Sequence, residues 1–161
     1  MQGPITWLGS AAMSAILIVS AVAHCAEEKI TPNDVPKAVM QAVKARFKDA
    51  VVTGAIKEET DEGDVVYEVS LTLKGQTIDV TLAPEGKIIL FEESIAAGDL
   101  PKAVAKALED MHPQATYKRL ARVVKVEKGK EKLDFYEAQI VTAEKEELEV
   151  KLTADGKIVD G

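Results

Sequence analysis

Apolar and polar residues alternate with a period of two in three stretches of the chain. Tyr67, Val69, Leu71 and Leu73 interleave with Glu68, Ser70, Thr72 and Lys74. Ile78, Val80 and Leu82 interleave with Asp79, Thr81 and Ala83, and Leu148, Val150 and Leu152 with Glu149, Lys151 and Thr153. Alternation with one polar side predicts antiparallel strands in a sheet covered on one face only. The segments 51–59 and 117–127 alternate less cleanly but are rich in β-formers. Helical spacing appears instead at Val35, Val39, Ala42, Val43 and Phe47, and again at Leu100, Val104, Ala107, Leu108 and Met111. Asp34 and Asp99 are placed to cap these helices, with Pro36 and Pro101 in the first turn, where a missing N–H costs nothing. His112-Pro113 ends the second helix, because the residue before proline avoids the helical region. Asp61-Glu62-Gly63-Asp64, Lys74-Gly75, Pro84-Glu85-Gly86, Lys128-Gly129 and Asp155-Gly156 mark turns.

The pattern occurs twice. Asp34-Val35-Pro36-Lys37-Ala38-Val39 returns as Asp99-Leu100-Pro101-Lys102-Ala103-Val104, an offset of 65. Tyr67-Glu68-Val69 answers to Tyr136-Glu137-Ala138 at an offset of 69, and Val80-Thr81-Leu82 to Val150-Lys151-Leu152 at 70. Gly86-Lys87-Ile88-Ile89 likewise answers to Gly156-Lys157-Ile158-Val159. The drift falls between the matched segments, where hairpin loops belong, so the chain reads as a duplicated small domain. The expected fold is α+β: two repeats, 34–97 and 98–161, each a helix followed by a four-stranded antiparallel sheet, with the helices on one face. One copy of about 60 residues is marginal alone, so the copies are expected to pack together, as in one continuous sheet.

Charge is placed unevenly. Lys and Arg number 20 and Asp and Glu 27, a net charge of −7, and all of them lie beyond residue 26. The run Ala11–Ala23 is apolar and small, the length of a secretory h-region and short for a bilayer span. Residues 1–23 therefore read as a signal peptide whose n-region carries only the terminal amine. Cleavage is expected near 23–26, with Ala21 and Ala23 as the small residues before the cut, and 24–33 as a flexible N-terminus. Val22-Ala23-His24-Cys25 also resembles a lipobox, which makes Cys25 a candidate for lipidation, although His24 is not the small residue such a site wants. The protein is expected in the periplasm or secreted, touching a membrane only if Cys25 is lipidated or the leader is uncleaved.

Composition narrows the chemistry. An acidic chain gains nothing from counterion release on nucleic acid, so none is expected as a partner. One Cys and two His leave no disulfide framework and no Cys-rich zinc site. His112 has no nucleophile or metal partner placed by any motif and reads as a helix-end residue. Ser70 and Ser94 lack a nucleophile-elbow context. Glu58-Glu59-Thr60-Asp61-Glu62-Gly63-Asp64 lacks the ligand order of a calcium loop and reads as a solvated hairpin tip. No catalytic residue, cofactor or metal site is expected, and the protein is not expected to be an enzyme. Lys118, Arg119, Arg122, Lys125, Lys128, Lys130 and Lys132 gather in one stretch, either as a basic patch for an acidic partner or as a solvated strand face.

If Tyr67, Val69 and Leu71 point to the helices, then Glu68, Ser70 and Thr72 face away. So do Glu137 and Gln139, with Asp79 and Thr81 matched in role by Glu149 and Lys151. These nine residues form the candidate binding face.

The helix openings Val35-Pro36-Lys37-Ala38-Val39 and Leu100-Pro101-Lys102-Ala103-Val104 resemble the PepSY-like domain family, including its β-lactamase-inhibitor-protein-like group. His112-Pro113-Gln114-Ala115, the Tyr67-Glu68-Val69 strand and the Asp155-Gly156-Lys157-Ile158 turn carry the same resemblance. Pro84-Glu85-Gly86 departs from the Asp-Gly turn the family shows there. The resemblance implies an exported, non-catalytic module that binds or inhibits another periplasmic or cell-surface protein, such as a peptidase. The alternative is a small-ligand or cation-binding periplasmic protein. Inhibition of a β-lactamase through the sheet calls for aromatic anchors, of which this chain has few, and Trp7 lies in the leader.

Overall fold

The structure, a computed structural model, describes residues 27–159. The expected leader, its expected cleavage zone and Cys25 lie outside the described residues. Eight strands, β1 (Glu27–Ile30), β2 (Val51–Glu59), β3 (Val65–Leu73), β4 (Gln76–Leu82), β5 (Ile88–Ser94), β6 (Thr116–Glu127), β7 (Lys130–Val141) and β8 (Glu147–Leu152), form one sheet in chain order. Every neighbouring pair is antiparallel. Helix α1 (Lys37–Arg46) lies between β1 and β2, and α2 (Lys102–Met111) between β5 and β6.

The alternation read from the sequence sets the faces. Val69, Leu71, Ile78, Val80, Leu82 and Phe91 are buried with Val39 and Val43 of α1. Leu120, Ala138, Ile140 and Leu152 are buried with Val104 and Leu108 of α2. The register Val80↔Phe91↔Val124, and then Arg122↔Tyr136 and Leu120↔Ala138, puts both helices on the same side. The units interlock there: Val124 of β6 belongs to the first core. The Phe47 and Phe91 rings meet edge to face at 5.4 Å. The Arg46 guanidinium lies 4.7 Å and 5.2 Å from those two rings and pairs with Glu131 of β7 at 2.6 Å.

Three expectations are corrected. The repeat is not a helix followed by four strands: each unit runs strand, helix, three strands. Glu27-Glu28-Lys29-Ile30 and Glu92-Glu93-Ser94-Ile95 stand at the same offset of 65 as the two helix openings. The strand read as the fourth of copy one is β5, which pairs on its far side with β6. In copy two its counterpart shrinks to a single bridge, Leu152↔Ile158. Second, part of the segment expected to be flexible is β1, paired with β2 from Glu27↔Glu58 to Ile30↔Ala55; four residues with one strong apolar position give no readable alternation. Third, Asp34 does not cap α1. Its carboxylate accepts from the Thr31 hydroxyl at 2.6 Å and the Thr31 N–H at 3.3 Å. Pro36 and Pro101 occupy the cap positions, with no side-chain cap at either helix, and Asp99 lies in a short 3₁₀ turn. An aspartate two residues before the cap closes its own turn more easily than it reaches the helix.

Candidate functional site

Among the described residues, no helix lies on the second face of the sheet. The pairings Glu68↔Thr81, Ser70↔Asp79 and Thr72↔Thr77 place the first-unit residues on it. Glu137↔Lys151 and Gln139↔Glu149 place those of the second unit. Asp79↔Glu92, Glu92↔Val123, Ala121↔Glu137 and Arg119↔Gln139 join the two halves. All nine residues expected on this face are on it, and Glu92, Arg119, Val123 and Phe135 stand among them.

A polar chain crosses its middle. The Ser70 hydroxyl donates to Asp79 Oδ1 at 2.7 Å. Arg119 Nη2 donates to Asp79 Oδ2 at 2.6 Å and Nη1 to Glu92 Oε2 at 3.1 Å. These three ionised side chains are each about a fifth exposed, at 26% for Arg119, 17% for Asp79 and 24% for Glu92. One guanidinium thus serves two carboxylates, using its forked donors. On β8, Lys151 pairs with Glu149 at 3.0 Å and lies 5.5 Å over the Phe135 ring.

Glu68 and Glu137 are counterparts in the two units, and neither joins that chain. Burial first, then the charges of Asp79, Glu92 and Glu58, raise the Glu68 carboxyl to about 7. Burial first, then Glu92 and Glu149, raise Glu137 to about 7 as well. Desolvation and like charge both disfavour the ionised form.

Sequence reasoning placed Arg119 in a basic stretch, and the structure disperses that stretch. Strand alternation and a bulge between Tyr117 and Arg119 send its members apart. Arg119 enters the polar chain, and Arg122 on the helix side donates to Glu93 at 2.6 Å. Lys118 pairs with Glu147, and Lys125 with Glu127 at 3.3 Å. Lys128, Lys130 and Lys132 are exposed around the β6–β7 turn. A signal for Arg119 was present: its counterpart at an offset of 65 is Gly54, and both follow a bulge.

His112 ends α2, its N–H donating to Leu108 O at 2.9 Å. Asp61, Glu62 and Asp64 form an exposed tip beside Pro84 and Glu85 and, with the half-buried Thr60, line an open cleft of about 640 Å³. Among the described residues, no group of three or more His, Cys, Asp or Glu is arranged to hold a metal ion. No described helix is long and apolar enough to cross a membrane.

A similar fold occurs in solved structures. A "putative periplasmic" protein from Bacteroides eggerthii matches with a TM-score of 0.62 at 15% identity, over 78% of this chain and 86% of that one. A DUF2874 family protein from Bacteroides uniformis matches with a TM-score of 0.60 at 16% identity, over 78% and 86%. A BLIP-like protein from Bacteroides fragilis gives 0.57 at 13%, over 78% and 84%. At these identities the likeness shows the fold. No curated protein matches the chain. The family described as "Putative beta-lactamase-inhibitor-like, PepSY-like" matches residues 21–90 and again 91–160. Each match spans one strand–helix–three-strand unit, and the chain belongs to this PepSY-like family as two consecutive units.

Proposed function

We propose that the protein is an exported, non-catalytic binding module that holds another envelope protein, such as a peptidase, against the helix-free face of its sheet. One observation carries this reading. Polar and charged side chains of both units form a continuous patch on that face, and half-buried carboxylates there lie open to a partner. The periplasmic description of the B. eggerthii protein and the inhibitor-like description of the family support the same reading. The face offers Phe135 as its aromatic, while Tyr67, Tyr117 and Tyr136 pack on the helix side. A β-lactamase is therefore a poorer fit than a partner recognised by charge.

The test is capture from an envelope extract of the source organism, using the full mature chain and a Gln139→Trp variant that crowds the face. The reading expects a discrete protein retained by the wild type and lost with the variant. Equal retention by both would remove the face from the binding surface.

A further inference from the structure

We infer that the helix-free face recognises basic side chains of its protein partner, with Glu137 in the second unit and Glu68 in the first as the two carboxylates left to receive them. This rests on the binding role proposed above and names the partner's chemistry.

Glu137 is 7% exposed, and among the described residues it makes no hydrogen bond or ion pair. Its carboxyl oxygens still touch solvent, since no fully buried side-chain N or O among the described residues lacks a partner; a carboxylate so largely desolvated gains from a cation brought to it. The cations near it are committed elsewhere. Lys151, directly opposite in register, is held by Glu149 and the Phe135 ring. Arg119, on the neighbouring strand, is held by Asp79 and Glu92. Glu68 is half-buried and likewise has no hydrogen bond or ion pair among the described residues; Ile56 and Thr81 flank it in register.

The charge count agrees. On β3 to β8 the rows from Glu68 to Gln139 hold five carboxylates, Glu68, Asp79, Glu92, Glu137 and Glu149, against four cations, Arg119, Lys151, Lys125 and Lys132, the last two at the far end of the Glu68 row. Lys125, nearer the hairpin end, is already paired with Glu127. Lys125 and Lys132 stand three and four strands from Glu68, so among the described residues neither Glu68 nor Glu137 has an uncommitted cation on this face of an adjacent strand. Glu68 and Glu137 stand four strands apart, on the order of 20 Å, so one lysine or arginine cannot serve both. A partner presenting two separated basic groups can. Burial of each pair on docking strengthens it beyond a surface contact.

Binding a cation at Glu137 favours its ionised form, so association releases protons near neutrality and weakens on acidification. The charges facing Glu137 are Glu92 of β5, Arg119 of β6, and Glu149 and Lys151 of β8; burial first, then the two acids, hold the proton on against the smaller pull of Lys151 and Arg119.

The test uses the full mature chain and a decalysine peptide, with binding followed by titration calorimetry at low salt and pH 8. Four variants are compared: Glu137→Gln, Glu68→Gln, the uncharged crowding variant Gln139→Trp, and Glu109→Gln on the exposed side of α2. The inference expects Glu137→Gln to weaken binding about tenfold, and Gln139→Trp to weaken it at least as much. Glu109→Gln should leave it unchanged, and wild-type affinity should fall between pH 8 and pH 5.5. Loss with Gln139→Trp but not with either Glu→Gln variant would overturn the basic-partner inference and leave the face as the binding surface. No loss with any face variant would overturn both. An equal loss with Glu109→Gln would reduce the effect to net charge and overturn the inference.

Discussion

Arg119 on β6 reaches across the whole of β5 to Asp79 on β4, with 2.6 Å between Nη2 and Oδ2, while its Nη1 holds Glu92 of the strand it crosses. The contact ties the last strand of the first unit to the second strand of the other, on the face opposite the helices. With Val124 in the first core and Arg46 against Glu131 on the other side, it makes one body of two short units.

Replacing Arg119 by Met keeps the stem's bulk and removes the fork. Asp79 and Glu92 are then left as two half-buried carboxylates without a cation. Breaking such a pair from one side is costly because the remaining charges stay desolvated. Partial exposure moderates this, so urea unfolding should show a loss of about 1–3 kcal/mol. Adding Asp79→Asn should recover part of it; a double variant as unstable as the sum of the singles would remove the coupling.

Stability should fall as pH rises through neutrality. Glu68 and Glu137 are raised from 4.5 to about 7 in the folded protein. The folded state therefore holds protons that the unfolded chain releases above pH 4.5. Their contribution is most favourable below 4.5 and is lost as pH rises through 7, amounting to about 1 kcal/mol for each group after screening. The double variant Glu68→Gln/Glu137→Gln should flatten this part of the profile and be more stable than wild type at pH 8. Identical profiles in denaturant melts from pH 5 to 8 would contradict the assignment.

The two closing turns are built against the two helices in the same way. A Cβ on Gly86 would lie 2.5 Å from Ala38 O, and one on Gly156 would lie 2.6 Å from Ala103 O, both at positive φ (87° and 81°). Gly86→Ala and Gly156→Ala should each cost about 2 kcal/mol or more, combining backbone strain with a clash against backbone. Gly54→Ala, whose Cβ would meet Ser70 at 3.8 Å, should stay within about 1 kcal/mol. Thermal melts of the three variants separate these outcomes.

These turns explain what the sequence revealed. Pro-Lys-Ala-Val at each helix start and Gly-Lys-Ile at each closing turn are distant in the chain but touch in space, so the repeat kept both. The strand faces were equally legible, because Glu68 cannot change sides without carrying Tyr67, Val69 and Leu71 with it. Other features had no local mark. β1 is too short and too charged to show a period. Asp34 sits at a plausible cap position, but Pro36 displaces the helix start by two residues. Arg119 has acidic partners 27 and 40 residues away in sequence. Only the strand order and a bulge bring them to it, so composition showed a basic stretch where the fold makes ion pairs.

Phe91 joins the units from the core side. It is 1% exposed, stacked edge to face on Phe47, and its ring lies under Arg46. Phe91→Ala should destabilise by about 3–5 kcal/mol. Hydrogen exchange should speed in α1 and β6 together, since both pack on it. Exchange changed in one unit alone would show that the cores fold separately.

The central claim is that the helix-free face is where a partner docks. Its most direct measurement is site-specific photocross-linking in intact envelopes, with the probe placed in turn at Thr81, at Gln139 and at Lys106 on the outer side of α2. The account predicts one discrete adduct from Thr81 and Gln139 and none from Lys106. An adduct from Lys106 with none from the two sheet positions would contradict it.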